Sequence, residues 1–303
     1  MKNILLYIQS SNHPIFQKNI LALVKGYKRI IERHNLNITI HTVCGFIEGR
    51  ENYIEDTLIN VDDHQFAKVN FVALEKFINE PFDVIIKTNT NTVVNLQLLQ
   101  MYCDSTYFDE NTVYTNIVHY PDPELHKDYP GKITDIIFPS GSFTMASKQI
   151  WEQIVNHYDD AIKFADLWFK NDDTLYHNDF NQKNSSIYWT GYCDDFLYGL
   201  CLLKAGITNK ITLLNSTISQ DKLTNFSDII GVSTMDDISE KYLVINCKLD
   251  NSNMSPTEFG SSEEYFRTYY EHHMITAICK IFEFYKPTYN DLYKLGNNIF
   301  YFV

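Results

Sequence analysis

The first hundred residues alternate between apolar segments that resemble strands and longer segments with helical spacing, and this alternation limits the chain to few folds. The five segments are a strand at 3–9, a helix at 15–33, a strand at 37–43, a helix at 66–79 and a strand at 83–87. The pattern predicts a parallel sheet whose strands are joined by crossover helices. In sheets of this type, ligands bind outside the carboxyl ends of the strands.

The rest of the chain continues the mixture of strands and helices, without an internal repeat or a clear linker. We therefore predict one α/β domain over residues 1–303, with a mostly parallel central sheet flanked by helices. Further strands are predicted at 113–118, 142–146, 209–214 and 241–246. Further helices are predicted at 95–102, at 195–204 and at 262–285, and one more helix is predicted to begin after Ser147 as its N-cap. Gly206 is the predicted C-terminal stop of the helix at 195–204.

Composition and charge exclude several classes of function. With 45% hydrophobic residues, a chain of this length buries a full core. The formal net charge of −13 repels phosphate backbones and anionic membranes, so nucleic acid is not an expected partner. The glycine-rich loops of dinucleotide dehydrogenases and P-loop enzymes do not occur in the sequence, and neither does the G-x-S-x-G nucleophile elbow.

The cysteines and the apolar runs bear on the compartment. The six cysteines are scattered and form no C-x-x-C pair, so the metal-finger and redox-motif interpretations both fail. Reduced, mostly buried thiols are the simplest account. The apolar run at 4–8 is too short for a signal peptide core, and no segment reaches the length of a membrane span. We therefore expect a cytoplasmic protein without a membrane span.

Two adjacent carboxylates, Asp194 and Asp195, come at the predicted start of a helix and follow Trp189 and Tyr192. One interpretation is helix capping, because an acid in the first turn satisfies free amides and favours the helix dipole. The other is general-base catalysis, because a carboxylate at the lip of an aromatic cleft can take a proton from a hydroxyl. Both hold together if Asp194 caps the helix and Asp195 faces the cleft.

The predicted strand at 83–87 runs into a polar stretch that contains Asn89, Thr90 and Asn91. Two acids spaced i, i+2 at such a strand end would hold a divalent cation and, through it, a nucleoside diphosphate. Both positions are Asn here, which offers an oxygen ligand but no charge. Taken alone, the stretch is most typical of a turn.

Four segments in order over residues 50–210 resemble the β-1,3-galactosyltransferase-like enzymes of glycosyltransferase family 31, which include the fringe enzymes. The K-T-D-D-D-T-F-V-N signature of the family is similar to the stretch from Lys87 to Asn95, "KTNTNTVVN". The E-D-V-x-x-G-x-x-L-x-x-x-G-I motif is similar to "DDFLYGLCLLKAGI" at 194–207. An acidic stretch with a following helix at 51–77 and a Gly-containing strand that ends in Ser at 140–147 complete the resemblance.

The resemblance implies a GT-A-like fold with a nucleotide-binding half at 1–118 and an acceptor half at 119–303. It also implies a single-displacement, inverting transfer of a hexose or N-acetylhexosamine from a nucleotide sugar, usually a UDP-sugar, to a hydroxyl of a glycan or glycoprotein. Asp195 matches the catalytic base of the family, and Asp194 conservatively replaces the acid before it. The implied donor-side residues are Lys87, Asn89, Thr90 and Asn91, and the acceptor-side residues are Gly141, Ser142, Trp189 and Tyr192.

The chain departs from the family at three places. The D-x-D acids are replaced by Asn89 and Asn91, the late metal-binding His region offers only Asn246 and Cys247, and the Arg-rich segment near the first helix is missing. At about 4 Å and an effective dielectric near 20, each lost charge is worth about 4 kcal/mol. We therefore assign no metal ligands and expect no tightly held Mn²⁺ or Mg²⁺, so side-chain cations would have to stabilise the leaving group.

Three interpretations follow from the sequence. The first is a metal-independent glycosyltransferase in which Asp195 is the base. The second is a catalytically inactive relative that binds a glycan or a protein, or acts as a scaffold, and the loss of both the D-x-D acids and the late His favours it. The third is an unrelated Rossmann-like nucleotide-binding enzyme.

Overall fold

The described part of the chain forms three sheets and six α-helices. A computed structural model describes residues 1–10, 14–62, 66–90, 92–116, 118–119, 137–169, 194–214, 217–218, 244–246 and 299–301. Its strands are β1 (Ile4–Gln9), β2 (Ile38–Phe46), β3 (Thr57–Asp62), β4 (Val84–Asn89), β5 (Thr92–Val94), β6 (Val113–Thr115), β7 (Val118–His119), β8 (Phe138–Pro139), β9 (Phe143–Ser147), β10 (Ile211–Leu214), β11 (Thr217–Ile218), β12 (Val244–Asn246) and β13 (Ile299–Tyr301). Its helices are α1 (Pro14–His34), α2 (Phe66–Phe77), α3 (Leu96–Cys103), α4 (Lys148–Asn156), α5 (Tyr158–Phe169) and α6 (Asp194–Lys204).

Eight of the strands form the central sheet, in the order β13-β10-β6-β9-β4-β1-β2-β3. Six of them run in one direction, because β1, β2, β3 and β4 pair in parallel and β6 and β10 have the same sense. Only β9 and β13 oppose them among these eight strands. The predicted α/β class, with a mostly parallel central sheet flanked by helices, is confirmed.

Each face of the sheet buries its own hydrophobic cluster because successive side chains of a strand point to opposite faces. The alternation is visible directly in β1, where Leu6 and Ile8 join the cluster under α1 and α3, whereas Leu5 and Tyr7 join the cluster under α2, α4 and α6. The indole of α4 is also fully buried: Trp151 donates its N–H to the carbonyl oxygen of a β4 residue, Ile85, at 2.7 Å. This bond fixes α4 against β4.

Two helix ends carry the signals that the sequence predicts. Ser147 caps α4, where its hydroxyl accepts a hydrogen bond from the backbone N–H of Ile150 at 3.4 Å. The end of α6 is a Schellman motif, in which Gly206 adopts a φ of +73° and the N–H of Ile207 donates to the carbonyl of Leu202. The predicted limits of the last described helix are therefore confirmed.

A second, three-stranded sheet has the order β11-β12-β5. Its antiparallel pair β5–β12 places Asn246 opposite Thr92. Tyr27 of α1 supports β5, since its hydroxyl accepts a hydrogen bond from the N–H of Val94 at 2.9 Å. Asn246 thus pairs with the residue two positions after Thr90 in the polar stretch at 88–91.

The structure differs from the predicted elements in several places. Thr88 and Asn89 belong to β4 rather than to a turn, because β1 pairs with both residues and β9 pairs with Thr88 on the other side. The strands β3, β5, β8, β11 and β13 and the helix α5 were not predicted. The predicted helix at 262–285 lies outside the described residues. No helix in the described part of the chain has the length and apolarity that crossing a membrane requires.

Candidate active site

A layer of polar side chains lies at the carboxyl end of the central sheet, on the face covered by α2 and α6. The register of the sheet produces it: Gln9 of β1 lies opposite Asn89 of β4, and Thr144 of β9 lies opposite Lys87. Paired residues of neighbouring strands point to the same face, so these four side chains share one surface. This is the edge at which parallel sheets bind their ligands.

Lys87 is the charged centre of this layer. Its side chain is only 1% exposed, although lysine is almost never fully buried unless it is paired. Its ammonium donates to the side-chain oxygen of Asn89 at 2.9 Å and to the carbonyl of Gly141. Those bonds join β4 to the turn that precedes β9.

Asp195, a residue of α6, lies close to the Lys87 ammonium at the turn around Gly141. A Cβ added to Gly141 would lie 1.9 Å from Oδ1 of Asp195 and 3.0 Å from Nζ of Lys87. Two atoms that close to one position are at most about 5 Å apart, a range in which opposite charges interact strongly. The carboxylate, the ammonium and the glycine therefore form one compact group.

Asp195 is buried and lies against the turn around Gly141. Its side chain is 7% exposed. The two interpretations of the acid pair, helix cap and general base, both stay predictions. Asp194 begins α6, and its side chain lies outside the described part of the structure.

Hydroxyl groups hold the turn around Gly141 in place. Ser140 and Ser142 share a hydrogen bond between their hydroxyls at 2.8 Å, and Ser142 donates to the side-chain oxygen of Asn116 at 3.0 Å. The N–H of Ser140 donates to the hydroxyl of Thr115, and the hydroxyl of Thr144 donates to the carbonyl of Ser140. The hydroxyl of Ser142, predicted on the acceptor side, is thus occupied in supporting the turn.

A second polar chain extends the layer towards β1. The side-chain amide of Asn70, which is fully buried in α2, donates to Gln9 at 2.6 Å and accepts from the hydroxyl of Tyr7 at 3.3 Å. Buried amides need such partners, since an unmade hydrogen bond costs about 1–3 kcal/mol. The layer is therefore fixed from both sides of β4.

Sequence reasoning missed a buried ion pair next to the end of β1. Arg50 donates to Glu55 at 2.7 Å, Glu55 accepts from the hydroxyl of Ser10 at 2.7 Å, and the guanidinium of Arg50 stacks on the ring of Tyr53. The side chain of Glu55 is completely buried. The only sequence signal was an acid and an arginine within an otherwise polar segment, which is typical of any exposed loop.

The structure brings part of the predicted site together. Lys87, Asn89, Gly141 and Asp195 form the group described above, while Thr90 is buried directly after β4. Asn91, Trp189 and Tyr192 lie outside the described residues, so their assignments stay predictions.

The group carries no surplus of negative charge that would attract a cation. Lys87 and Asp195 bring opposite charges, and Asn89 brings none. Within the described residues, no cluster of three or more His, Cys, Asp or Glu side chains has a geometry that could hold a metal ion. The arrangement can orient the Asp195 carboxylate beside the fixed Lys87 ammonium at the carboxyl edge of the sheet.

Comparison with known proteins finds distant structural likenesses, but no matching family model and no matching curated protein. Among solved structures, the chain is similar to a glycosyltransferase involved in the glycosylation of the major capsid of PBCV-1, with 12% sequence identity, 90% of this chain and 99% of that chain covered, and a TM-score of 0.38. A likeness of this size assigns neither a family nor an activity to the chain.

Proposed function

We propose that the protein is an inverting, GT-A-like glycosyltransferase that transfers a hexose or N-acetylhexosamine from a nucleotide sugar, in the first instance a UDP-sugar, to a hydroxyl of a glycan or glycoprotein. The observation that carries the proposal is the placement of the Asp195 carboxylate beside Lys87 and Gly141 at the carboxyl edge of the sheet. This is where α/β proteins of this type bind their ligands.

The proposed reaction uses the Asp195 carboxylate as its base. The acceptor hydroxyl attacks the anomeric carbon of the donor while Asp195 takes the hydroxyl proton. The bond between the anomeric carbon and the phosphate oxygen breaks, and the nucleoside diphosphate leaves with the electron pair. Attack opposite the leaving group inverts the anomeric configuration in a single step.

The proposal is tested with Asp195→Asn, which keeps the size of the side chain and removes its basicity. Loss of a general base typically lowers a rate by about 10²–10⁴-fold. We expect transfer from a panel of UDP-sugars to glycan acceptors, followed by release of UDP, to fall by that amount while UDP binding persists. Unchanged transfer by the variant would overturn the assignment of the base.

The second candidate is a catalytically inactive relative that binds a glycan or a protein or scaffolds a partner enzyme. The observation in its favour is the neutral end of β4, where Asn89 brings no charge, together with the lack of a clear counterpart of the late family His in the sequence. Calorimetry with UDP and UDP-sugars, with and without Mn²⁺, separates the candidates. Binding of a nucleotide favours the enzyme, and absence of binding under both conditions favours the inactive relative.

A further inference from the structure

We propose that Lys87 is an internal counter-charge that allows an anionic donor to bind without a divalent cation. The inference rests on the proposed function and adds how the negative charge of the donor is tolerated. Lys87 is a positioning residue that acts through its charge. Its ammonium is buried and donates hydrogen bonds to Asn89 and to the Gly141 carbonyl.

The charges at the carboxyl end of β4 lead to this conclusion. A nucleoside diphosphate is anionic, and the Asp195 carboxylate at the same edge would repel it. Lys87 is held within about 5 Å of that carboxylate by its contacts with Gly141 and Asn89, so the pair is neutral as a unit. The neighbouring buried pair of Arg50 and Glu55 is neutral as well.

Burial strengthens the electrostatic effect of both charges on a bound anion. Lys87 is 1% and Asp195 is 7% exposed, so solvent screens neither charge well. Salt screens buried pairs far less than exposed ones, so removal of one partner leaves the other almost fully effective. Each single neutralisation should therefore change the affinity for an anion, and the two changes should have opposite signs.

The experiment measures the affinities of UDP, GDP, CDP and dTDP by calorimetry in the presence of EDTA, for the wild type, Lys87→Met, Asp195→Asn and the double variant. We expect Lys87→Met to weaken diphosphate binding by about tenfold or more, because the carboxylate is then uncompensated. We expect Asp195→Asn to tighten it by a similar factor. The double variant should return to near the wild-type affinity.

Two further variants serve as controls. Lys163→Met removes a lysine of α5 whose side chain is 73% exposed, so it changes the net charge equally but should leave the affinity unchanged. Lys87→Arg keeps the charge and should retain most of the affinity. If Lys87→Met does not fold, the comparison of Asp195→Asn with the double variant still measures the effect of the ammonium.

The outcomes distinguish this inference from the proposed function. Changes of the same sign in both single variants, or loss of wild-type binding in EDTA with recovery in Mn²⁺, would overturn the role of Lys87 and leave the transferase proposal standing. Failure of the wild type to bind any of the four diphosphates under either condition would instead overturn the proposed function and this inference with it.

Discussion

A residue without a side chain determines where the charged groups of this site can meet. A Cβ on Gly141 would lie 1.9 Å from Oδ1 of Asp195 and 3.0 Å from Nζ of Lys87, so even one methyl group would overlap the carboxylate. A glycine is therefore needed here for close approach, independently of backbone conformation.

We expect Gly141→Ala to lower the free energy of unfolding by about 1–3 kcal/mol, the usual cost of overpacking a buried position. The new Cβ would lie 1.9 Å from Oδ1 of Asp195, so the carboxylate or the turn has to move. Urea denaturation measures the stability, and transferase assays report the displaced carboxylate as a loss of rate.

The matched control is Gly141→Ala combined with Asp195→Ala. Removal of the carboxylate takes away the closest clashing atoms, so the double variant should be more stable than the sum of the single effects predicts. Simple additivity would show that Gly141 acts through another contact.

At this scale, the sequence names residues that the structure brings together, but it does not predict the contacts between them. Asp195 was predicted from its motif, and Lys87 was assigned to the donor side. Their meeting at Gly141 joins three segments far apart in the chain, and no local pattern encodes such a contact. The support of the turn by Ser142 and Asn116 depends on the same tertiary packing.

Individual elements show which motif residues are structural. Asn95 ends the family-like stretch "KTNTNTVVN", and its side chain caps α3 by accepting from the N–H of Leu98 at 2.9 Å. Its place in the motif is therefore explained by the start of a helix.

We expect Asn95→Ala to lower the free energy of unfolding by about 1 kcal/mol, because an N–H at the start of α3 loses its partner. Asn95→Ser is the matched variant and should retain most of the stability, since serine is an equally good cap. Thermal and urea unfolding provide the measurement. Equal losses in both variants would show that the Asn95 side chain stabilises the protein mainly through a contact other than the one with the N–H of Leu98.

The loop between β2 and β3 gives a prediction about acid stability. Partial burial tends to raise the pKa of Asp56, but hydrogen bonds from His41, from the N–H of Thr42 and from the hydroxyl of Thr57 outweigh it and lower the pKa below the ordinary value of 3.8. A lowered pKa means that the folded state binds this proton more weakly than the unfolded state does.

The contribution of Asp56 is therefore complete above about pH 4 and is lost as the pH falls through the lowered value. We expect the urea midpoint of the wild type to decrease on acidification over this range, and Asp56→Asn to show a flatter decrease. Parallel curves for the two proteins would contradict the linkage.

Elements are predictable where one periodicity dominates. The helices α1 and α2 and the strand β1 have clear apolar spacing, and all three were predicted close to their observed limits. The strand β3 lies at the edge of the sheet, where it pairs with β2 alone among the described strands. The strand β5 has only three residues and pairs with β12, which lies far away in the chain and is not revealed by a local pattern.

At the scale of the whole molecule, the hydrophobic core bears on the reactivity of the thiols in the described part of the chain. Cys103 and Cys201 lie in the two hydrophobic clusters, and Cys44 is also buried. These three cysteines form no disulfide, and burial raises the pKa of Cys103 and Cys201 well above the ordinary thiol value. Thiolates react with alkylating agents and thiols do not, so both burial and protonation oppose reaction.

We expect iodoacetamide to leave these three cysteines unmodified in the native protein and to modify them in urea at the rate of global unfolding. Peptide mass spectrometry after timed labelling identifies each site. Rapid native labelling of Cys201 would show that α6 opens locally, and the position of Asp195 would then also be transient.

The pairing of β5 with β12 gives the candidate site a place in the order of folding. Thr92 and Asn246 lie about half the sequence apart, whereas β1, β2 and β4 pair through nearby helices. Closing a long loop precedes any gain from its contacts, so this pairing should form late. A chain that has built only its first strands would have Lys87 in place but not Asp195 beside it, so any ligand that needs both charges would bind only after folding is complete.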